Sequence, residues 1–498
     1  MGKGLLQVAC SCAAAVLALG AFNAAPVAAA AAPAHVIAIS AGFEHSLALL
    51  DNHTVVSWGA NQFSQLGNGT TTTANVPVTV CAPTVSSCPP GSPPSSYLQG
   101  VTAIAAGAFF SLVLIDGNVW AWGRAGDGSQ GSLGIGSTRG STCNGECQPV
   151  PVEVCAVGVS RCPAGSPPSS YLQGVTAIGA GTFFGLAVLA KGVVVSWGSN
   201  TSGQLGNASV QTRSVQPIAV CAVGVQRCPP GSKASAYLSG VTSVAGGDSF
   251  SMALQGHTVL TWGQNRYGQL GNGSISGPNR CLHFACSLAP IAVKLKMPAS
   301  AISAANYHGL AIVDDTNGNP VGVEAWGSNT EGQVGLKSDR GNACKGDCQS
   351  IPVPVRGNWT GLTAISGGRS FSLALVGGRV VAWGSNHHPG RLGNGNVKAQ
   401  NAPTPVCALL VKSCPAGSPA SKYLQGVTAI SGGGTVSLAL LPGAVAVWGS
   451  NYRSGLGNGS DAAGGTSSPI RVTGLNGAKA SSSTAAGSQP AALTAEVR

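Results

Sequence analysis

The residues in this chain best equipped for chemistry are its cysteines. Sixteen occur in 498 residues. Cys10 and Cys12 fall in an apolar leader. The rest form seven close couples: Cys81 with Cys88, Cys143 with Cys147, Cys155 with Cys162, Cys221 with Cys228, Cys281 with Cys286, Cys344 with Cys348, and Cys407 with Cys414. Structural metal sites use Cys-x-x-Cys pairs or regular histidine partners, whereas these couples enclose three, four or six residues and have no such partners. In an exported chain an even count of this kind reads as disulfides. Each would close a small loop and contribute about 2–3 kcal/mol in the chain-entropy picture. Neither a metal nor a cofactor is expected.

Catalytic signals are thin. The sequence holds no Gly-x-Ser-x-Gly elbow, no His-Glu-x-x-His and no phosphate-binding loop. Residues 126–131 (GDGSQG) match Gly-x-Gly-x-x-Gly, but they neither follow a strand nor open a helix, as dinucleotide binding requires. The adjacent pair His387-His388 lacks a nearby carboxylate and reads as an exposed loop tip. Glycosidase chemistry needs two placed carboxylates. The fifteen acids lie mostly in turns and loops, with Asp314-Asp315 at one turn. The expectation is a protein that is not an enzyme, with a propeller hydrolase or lyase as the most distant alternative.

The elements that would carry a binding site are set by a repeat. Trp-Gly pairs recur at Trp58, Trp122, Trp197, Trp262, Trp326, Trp383 and Trp448, spaced by 57 to 75 residues. Most are followed by Asn-x-x-Gly-Gln-Leu-Gly or a close version of it, as in residues 200–206 (NTSGQLG) and 265–271 (NRYGQLG). The first unit has short apolar runs at 36–39, 45–50, 55–58 and 76–80, divided by turn residues, and later units repeat the plan. Four short strands per unit at a period above about forty residues predict an all-β fold, a seven-bladed β-propeller with four short antiparallel strands per blade. The pattern leaves open whether the first and last strands share a blade.

Residues 39–49 (ISAGFEHSLAL), then Trp58-Gly59 and residues 65–69 (QLGNG), resemble the repeat of the regulator-of-chromosome-condensation family across about residues 36–475. The resemblance implies a seven-bladed propeller. The family includes a nuclear exchange factor for the small GTPase Ran and a secreted bacterial inhibitor of β-lactamases. The leader resembles the secreted branch more than the nuclear one. The position after Gly-x-x is His45 and His308 in two units, but Phe110, Phe184, Phe250, Phe371 and Val436 in the others. So variable a position reads as packing, and the repeated Trp residues read as core between blades.

In an up-and-down blade the turn between the first two strands and the loop between the last two share one face. The two variable positions of that loop read Gln62-Phe63, Thr201-Ser202, Arg266-Tyr267, Thr330-Glu331, His387-His388 and Tyr452-Arg453. Phe, Tyr and Arg dominate interface hot spots, so this ring of tips is the candidate binding face. The couples that begin at Cys143, Cys281 and Cys344 brace loops on that face. On the other face four units carry near-identical insertions of the type CAVGVSRCPAGSPPSSYLQG, a candidate second surface around Tyr97, Tyr171, Tyr237 and Tyr423.

Residues 1–32 read as an export signal, 33–475 as the propeller and 476–498 as a disordered Ala/Ser/Gly-rich tail. No further apolar stretch is long enough for a transmembrane segment. The formal net charge of +11 is spread singly along the chain. That argues against a nucleic-acid partner and allows attraction to an anionic cell envelope. The expected role is a secreted, extracellular protein-binding propeller, with inhibition of an extracellular enzyme as its sharper form. The alternative is a cell-envelope or polysaccharide-associated binding protein.

Overall fold

Each repeat folds into one antiparallel sheet. In a computed structural model, which describes residues 34–125, 131–282, 284–336, 341–387 and 389–475, β1 (Val36–Ala41), β2 (His45–Leu50), β3 (Val55–Gly59) and β4 (Ala74–Thr79) pair in chain order. Six further sheets repeat that order, giving the expected seven blades of four strands. Blade four adds a short outermost strand, Asn279–Cys281, hairpinned onto Phe284–Ala292. The last blade runs from Ala429–Gly432 to Gly465–Arg471. Among the described residues the only helical pieces are single 3₁₀ turns. The leader and the tail lie outside the described residues.

The burial pattern follows from the stacking of blades. β2 and its counterparts are apolar at nearly every position and buried on both sides, because a neighbouring blade covers each face. The fourth strands are half-exposed and each contains proline: Pro77, Pro151, Pro217, Pro290, Pro352, Pro403 and Pro469. A proline cannot donate to another strand, which protects the outer edges from pairing.

The repeated Trp-Gly is explained at both residues. All seven Trp side chains are fully buried. Six of them donate Nε1–H to a loop carbonyl of the preceding blade, for example Trp122 to Gln65 O at 2.9 Å and Trp262 to Gln204 O at 2.8 Å. The glycine that follows holds φ near +100°, as in Gly59, where a Cβ would lie 2.5 Å from Glu44 O. The final glycine of the loop is equally constrained. Gly67 has φ +68° and sits against the Trp122 indole, 2.6 Å from where a Cβ would be.

The ring closes by packing of whole blades, and the first and last strands belong to different sheets. At this seam Gly434 N–H donates to Gly42 O, Ala41 N–H donates to Ser431 Oγ, and an apolar cluster joins Val36, Ile39 and Trp58 to Leu438, Val447 and Leu456. Two recurring bonds, the Trp indole bond of all six other junctions and the Ser hydroxyl bond of four of them, are missing here: Trp58 Nε1 and Ser46 Oγ are buried without partners.

All seven expected disulfides are formed, with Cα–Cα distances of 5.3 to 5.9 Å. Four of them close the long insertions, joining Cys81 to Cys88, Cys155 to Cys162, Cys221 to Cys228 and Cys407 to Cys414. The other three join Cys143 to Cys147, Cys281 to Cys286 and Cys344 to Cys348. The partners are unequally placed: Cys81, Cys155, Cys221 and Cys407 are fully buried at the end of the blade, and Cys88, Cys162, Cys228 and Cys414 are drawn in over them. Cys286 and Cys348 are likewise fully buried, each within its blade's fourth strand.

The four long insertions form hooks held largely by their own bonds, and the blade-six hook also donates Leu410 N–H to Pro469 O of blade seven. The Tyr171 hydroxyl donates to Pro163 O and accepts from Ser166 N–H, and Tyr237 repeats both bonds. Tyr423 donates to Pro415 O in the same way. These three hydroxyls are committed inside their hooks, while the rings of Tyr97, Tyr237 and Tyr423 stay half-exposed.

Candidate functional site

The tip loop is built by its repeated residues. Asn61 Oδ1 accepts Leu66 N–H at 2.9 Å while its Nδ2 donates to Thr72 O, so one amide closes the loop from within. Gln65 Oε1 accepts the Phe63 N–H, pinning the second variable position. Gln204, Gln269 and Gln333 do the same for Ser202, Tyr267 and Glu331. The loop starts are also tied to the turns between first and second strands, as in Ala60 N–H to Glu44 O and Ser328 N–H to Tyr307 O. Loop tips and these turns therefore form one face, as the topology predicted.

The expected tip residues differ in what they present. Arg266, Thr330, His387, Tyr452 and Arg453 are exposed, whereas Gln62, Phe63, Thr201, Tyr267 and Glu331 are half-buried. Ser202 is 5% exposed and faces the frame, because its neighbour Gly203 packs against blade four. His388 lies outside the described residues, as do residues 126–130 of the glycine-rich match. Two of the small disulfide knots buttress tips of the preceding blade: Cys147 Sγ lies 4.0 Å from Gln62 O and Cys344 Sγ 3.7 Å from Arg266 O.

The structure adds residues from the turns between first and second strands. Phe109 is the hub of a four-ring cluster, with centroids 5.4 Å from Phe63, 6.2 Å from Phe43 and 6.0 Å from Phe183. The Arg124 guanidinium lies 4.2 Å over Phe63, and Arg369 of blade six lies 5.3 Å over Phe43. A second cluster pairs Tyr267 with Tyr307 at 5.3 Å, and Arg266 lies over both Tyr267 and Phe284. Beside it the hairpin of blade four, closed by Cys281 and Cys286, exposes Leu282. A signal for these turns was present in the sequence. The pair before the His/Phe position varies as freely as the loop tips, reading Phe-Glu, Ala-Phe, Thr-Phe, Asp-Ser, Asn-Tyr, Arg-Ser and Gly-Thr.

Three acids of this face have side-chain partners. Glu44 pairs with Arg453 at 3.4 Å, and burial raises its pKa despite that cation. Glu331 pairs with His387 at 2.8 Å. Asp248 accepts from the Thr182 and Ser249 hydroxyls, and it helps burial push the Tyr307 phenol up to about 12. Burial, then the neighbouring Arg369, lowers the pKa of Arg391. Among the described residues no three His, Cys, Asp or Glu side chains come together as a metal site.

The two buried histidines belong to the scaffold. His45 Nε2 lies 2.9 Å from Ser111 Oγ, and Ser111 donates its proton to Gln65 O. The imidazole must therefore be the donor, carrying its proton on Nε2, while Nδ1 is buried with no partner. His308, Ser372 and Gln333 repeat this chain. Burial lowers both histidine pKa values to about 3.

The RCC1-like domain model is matched over residues 13–406. The chain belongs to that family. Among relatives of this RCC1-like propeller, the mitochondrial RCC1 domain-containing protein RUG3 of Arabidopsis thaliana is 26% identical over 68% of the chain and 63% of its own length. The ultraviolet-B receptor UVR8 of the same plant is 27% identical over 60% of the chain and 54% of its own length. The chain thus spans less than two thirds of each of these relatives. Prp20p of Saccharomyces cerevisiae, described by its binding to Gsp1p and histones, superposes with a TM-score of 0.57 at 20% identity, covering 81% of the chain and 82% of Prp20p. That likeness is one of fold.

Proposed function

We propose that this RCC1-like propeller is an exported, non-enzymatic protein that grips a second protein with its tip face, as an inhibitor of an extracellular enzyme would. The observation that carries the reading is the cluster of Phe43, Phe63, Phe109 and Phe183 under Arg124 and Arg369. Half-buried aromatic rings and arginines on a rigid frame are the composition of an interface core. Relatives that bind proteins, such as Prp20p, support binding as the mode of action. Fourteen paired cysteines and an apolar leader support export, and with it an extracellular site. The polysaccharide reading draws less support, because three of the four hook tyrosine hydroxyls are already used internally.

The test is affinity capture from a secretome and envelope extract, followed by inhibition assays, β-lactamase among them. The bait is the propeller beside a Phe63→Ala, Tyr267→Ala, Tyr452→Ala variant. A soluble protein held by the first and lost by the second is expected. Equal capture by both, released by salt, would move the function to charge alone.

A further inference from the structure

We infer that the partner segment taken up by the tip face is acidic and carries an aromatic or branched apolar side chain between its carboxylates. This rests on the reading of that face as a protein-binding surface. Arg124, Arg266 and Arg369 all lie over ring faces, within 4.2 to 5.4 Å of a centroid, and none forms an ion pair among the described residues. Glu44 and Glu331 face Arg453 and His387, and Asp248 accepts from two hydroxyls, so none of the three pairs with those arginines. Three guanidiniums of the face therefore stand without a carboxylate partner among the described residues.

A guanidinium stacked on a ring has lost much of its rotational freedom already, and its planar fork matches a carboxylate with two parallel hydrogen bonds. The apolar requirement comes from the surroundings. Arg124 and Arg369 flank the phenyl cluster, and Arg266 stands beside Tyr267, Phe284 and the exposed Leu282. A segment whose carboxylates reach the guanidiniums lays its intervening side chain on those rings. Protein is favoured over nucleic acid because the rings pack against one another and under arginines. They do not stand free as a platform for stacked bases.

The test is selection of a displayed library of random peptides, about twelve residues long, on the intact propeller. Synthesised winners are then measured by fluorescence anisotropy against wild type and Arg124→Gln, Arg266→Gln, Arg369→Gln and Phe63→Ala. Thermal unfolding of each variant serves as the folding control. Winners enriched in Asp or Glu beside Phe, Tyr, Trp or Leu are expected, losing roughly tenfold in affinity with an arginine variant. They should also weaken when their own acids become amides. Winners without acidic residues that still lose binding on Phe63→Ala would overturn the acidic partner and leave the face as a binding surface. Winners indifferent to every substitution, or no enrichment at all, would overturn both. Tighter binding of a single-stranded oligonucleotide than of any winner, lost in the arginine variants, would overturn the protein partner.

Discussion

Acid should destabilise this propeller through two histidines, and the effect should vanish when both are replaced by the residue other blades use. His45 and His308 are fully buried and held neutral, with folded pKa values of about 3 against an ordinary 6.5. Because the unfolded chain accepts the proton and the folded chain does not, the unfolded state gains protons below pH 6.5. Above that pH the two residues have no effect. As pH falls from 6.5 toward 3 each subtracts stability, and near pH 3 the loss levels off. At about pH 4.5 the loss is about 3 kcal/mol per histidine, from roughly 1.4 kcal/mol per pH unit, and twice that for both.

The control is supplied by the chain itself. Blade three has Phe184 at this position, yet Ser251 Oγ still donates to Gln204 O at 2.7 Å and Trp262 still bonds the same carbonyl. A His45→Phe, His308→Phe variant should therefore keep the junction. Urea unfolding of both proteins at about pH 7.5 and about pH 4.5 should give similar stabilities at the higher pH and a gap of several kcal/mol at the lower. Equal pH dependence of the two, or a His45 or His308 imidazole resonance titrating near 6.5 in the folded protein, would refute the reasoning.

Gly67→Ala should cost about 3 kcal/mol in denaturant unfolding, because the new methyl meets the Trp122 indole and the backbone is at positive φ. Leu410→Gly should raise stability by about 1 kcal/mol: Leu410 is 77% exposed at φ +64°, where the hooks of blades two and three have Gly158 and Gly224. Trp58→Phe should cost about 1 kcal/mol less than Trp122→Phe, since only Trp122 gives up an indole hydrogen bond. Tyr171→Phe should cost about 1 kcal/mol and leave binding to the tip face unchanged, because its hydroxyl serves only the hook.

What was legible in the sequence, and what was not, follows from how repeats report physics. Trp-Gly and Asn-x-x-Gly-Gln-Leu-Gly recur because each residue has a local duty: Asn61 closes its own loop, Gln65 pins the tip, and Gly67 makes room for the next Trp. Such duties recur from blade to blade, the Gln one in four of them, so the fold and the face of the tips could be read in advance. The disulfides were legible for the same reason, since partners such as Cys155 and Cys162 are sequence neighbours that close their own loop. The phenyl cluster has no such signature. Phe43 and Phe63 come from blade one, Phe109 from blade two and Phe183 from blade three, and they meet because curvature brings successive blades together. Arg369 reaches Phe43 past the small Gly433 and Gly434 of the blade between, a relation that no spacing along the chain encodes.

The same logic explains the seam. The loop of blade seven reads NYRSGLG, with Gly455 where most other blades have the Gln that holds the second tip position, and here the first position is held, Tyr452 N–H donating to Ser450 Oγ. The redirected loop leaves Trp58 and Ser46 without the carbonyl their counterparts share. The Arg453–Glu44 pair spans the same junction. Arg453 thus belongs both to the candidate binding face and to the closure of the ring. A partner that engages its guanidinium would compete with Glu44 for it, and would do so at the one junction that lacks both repeated bonds.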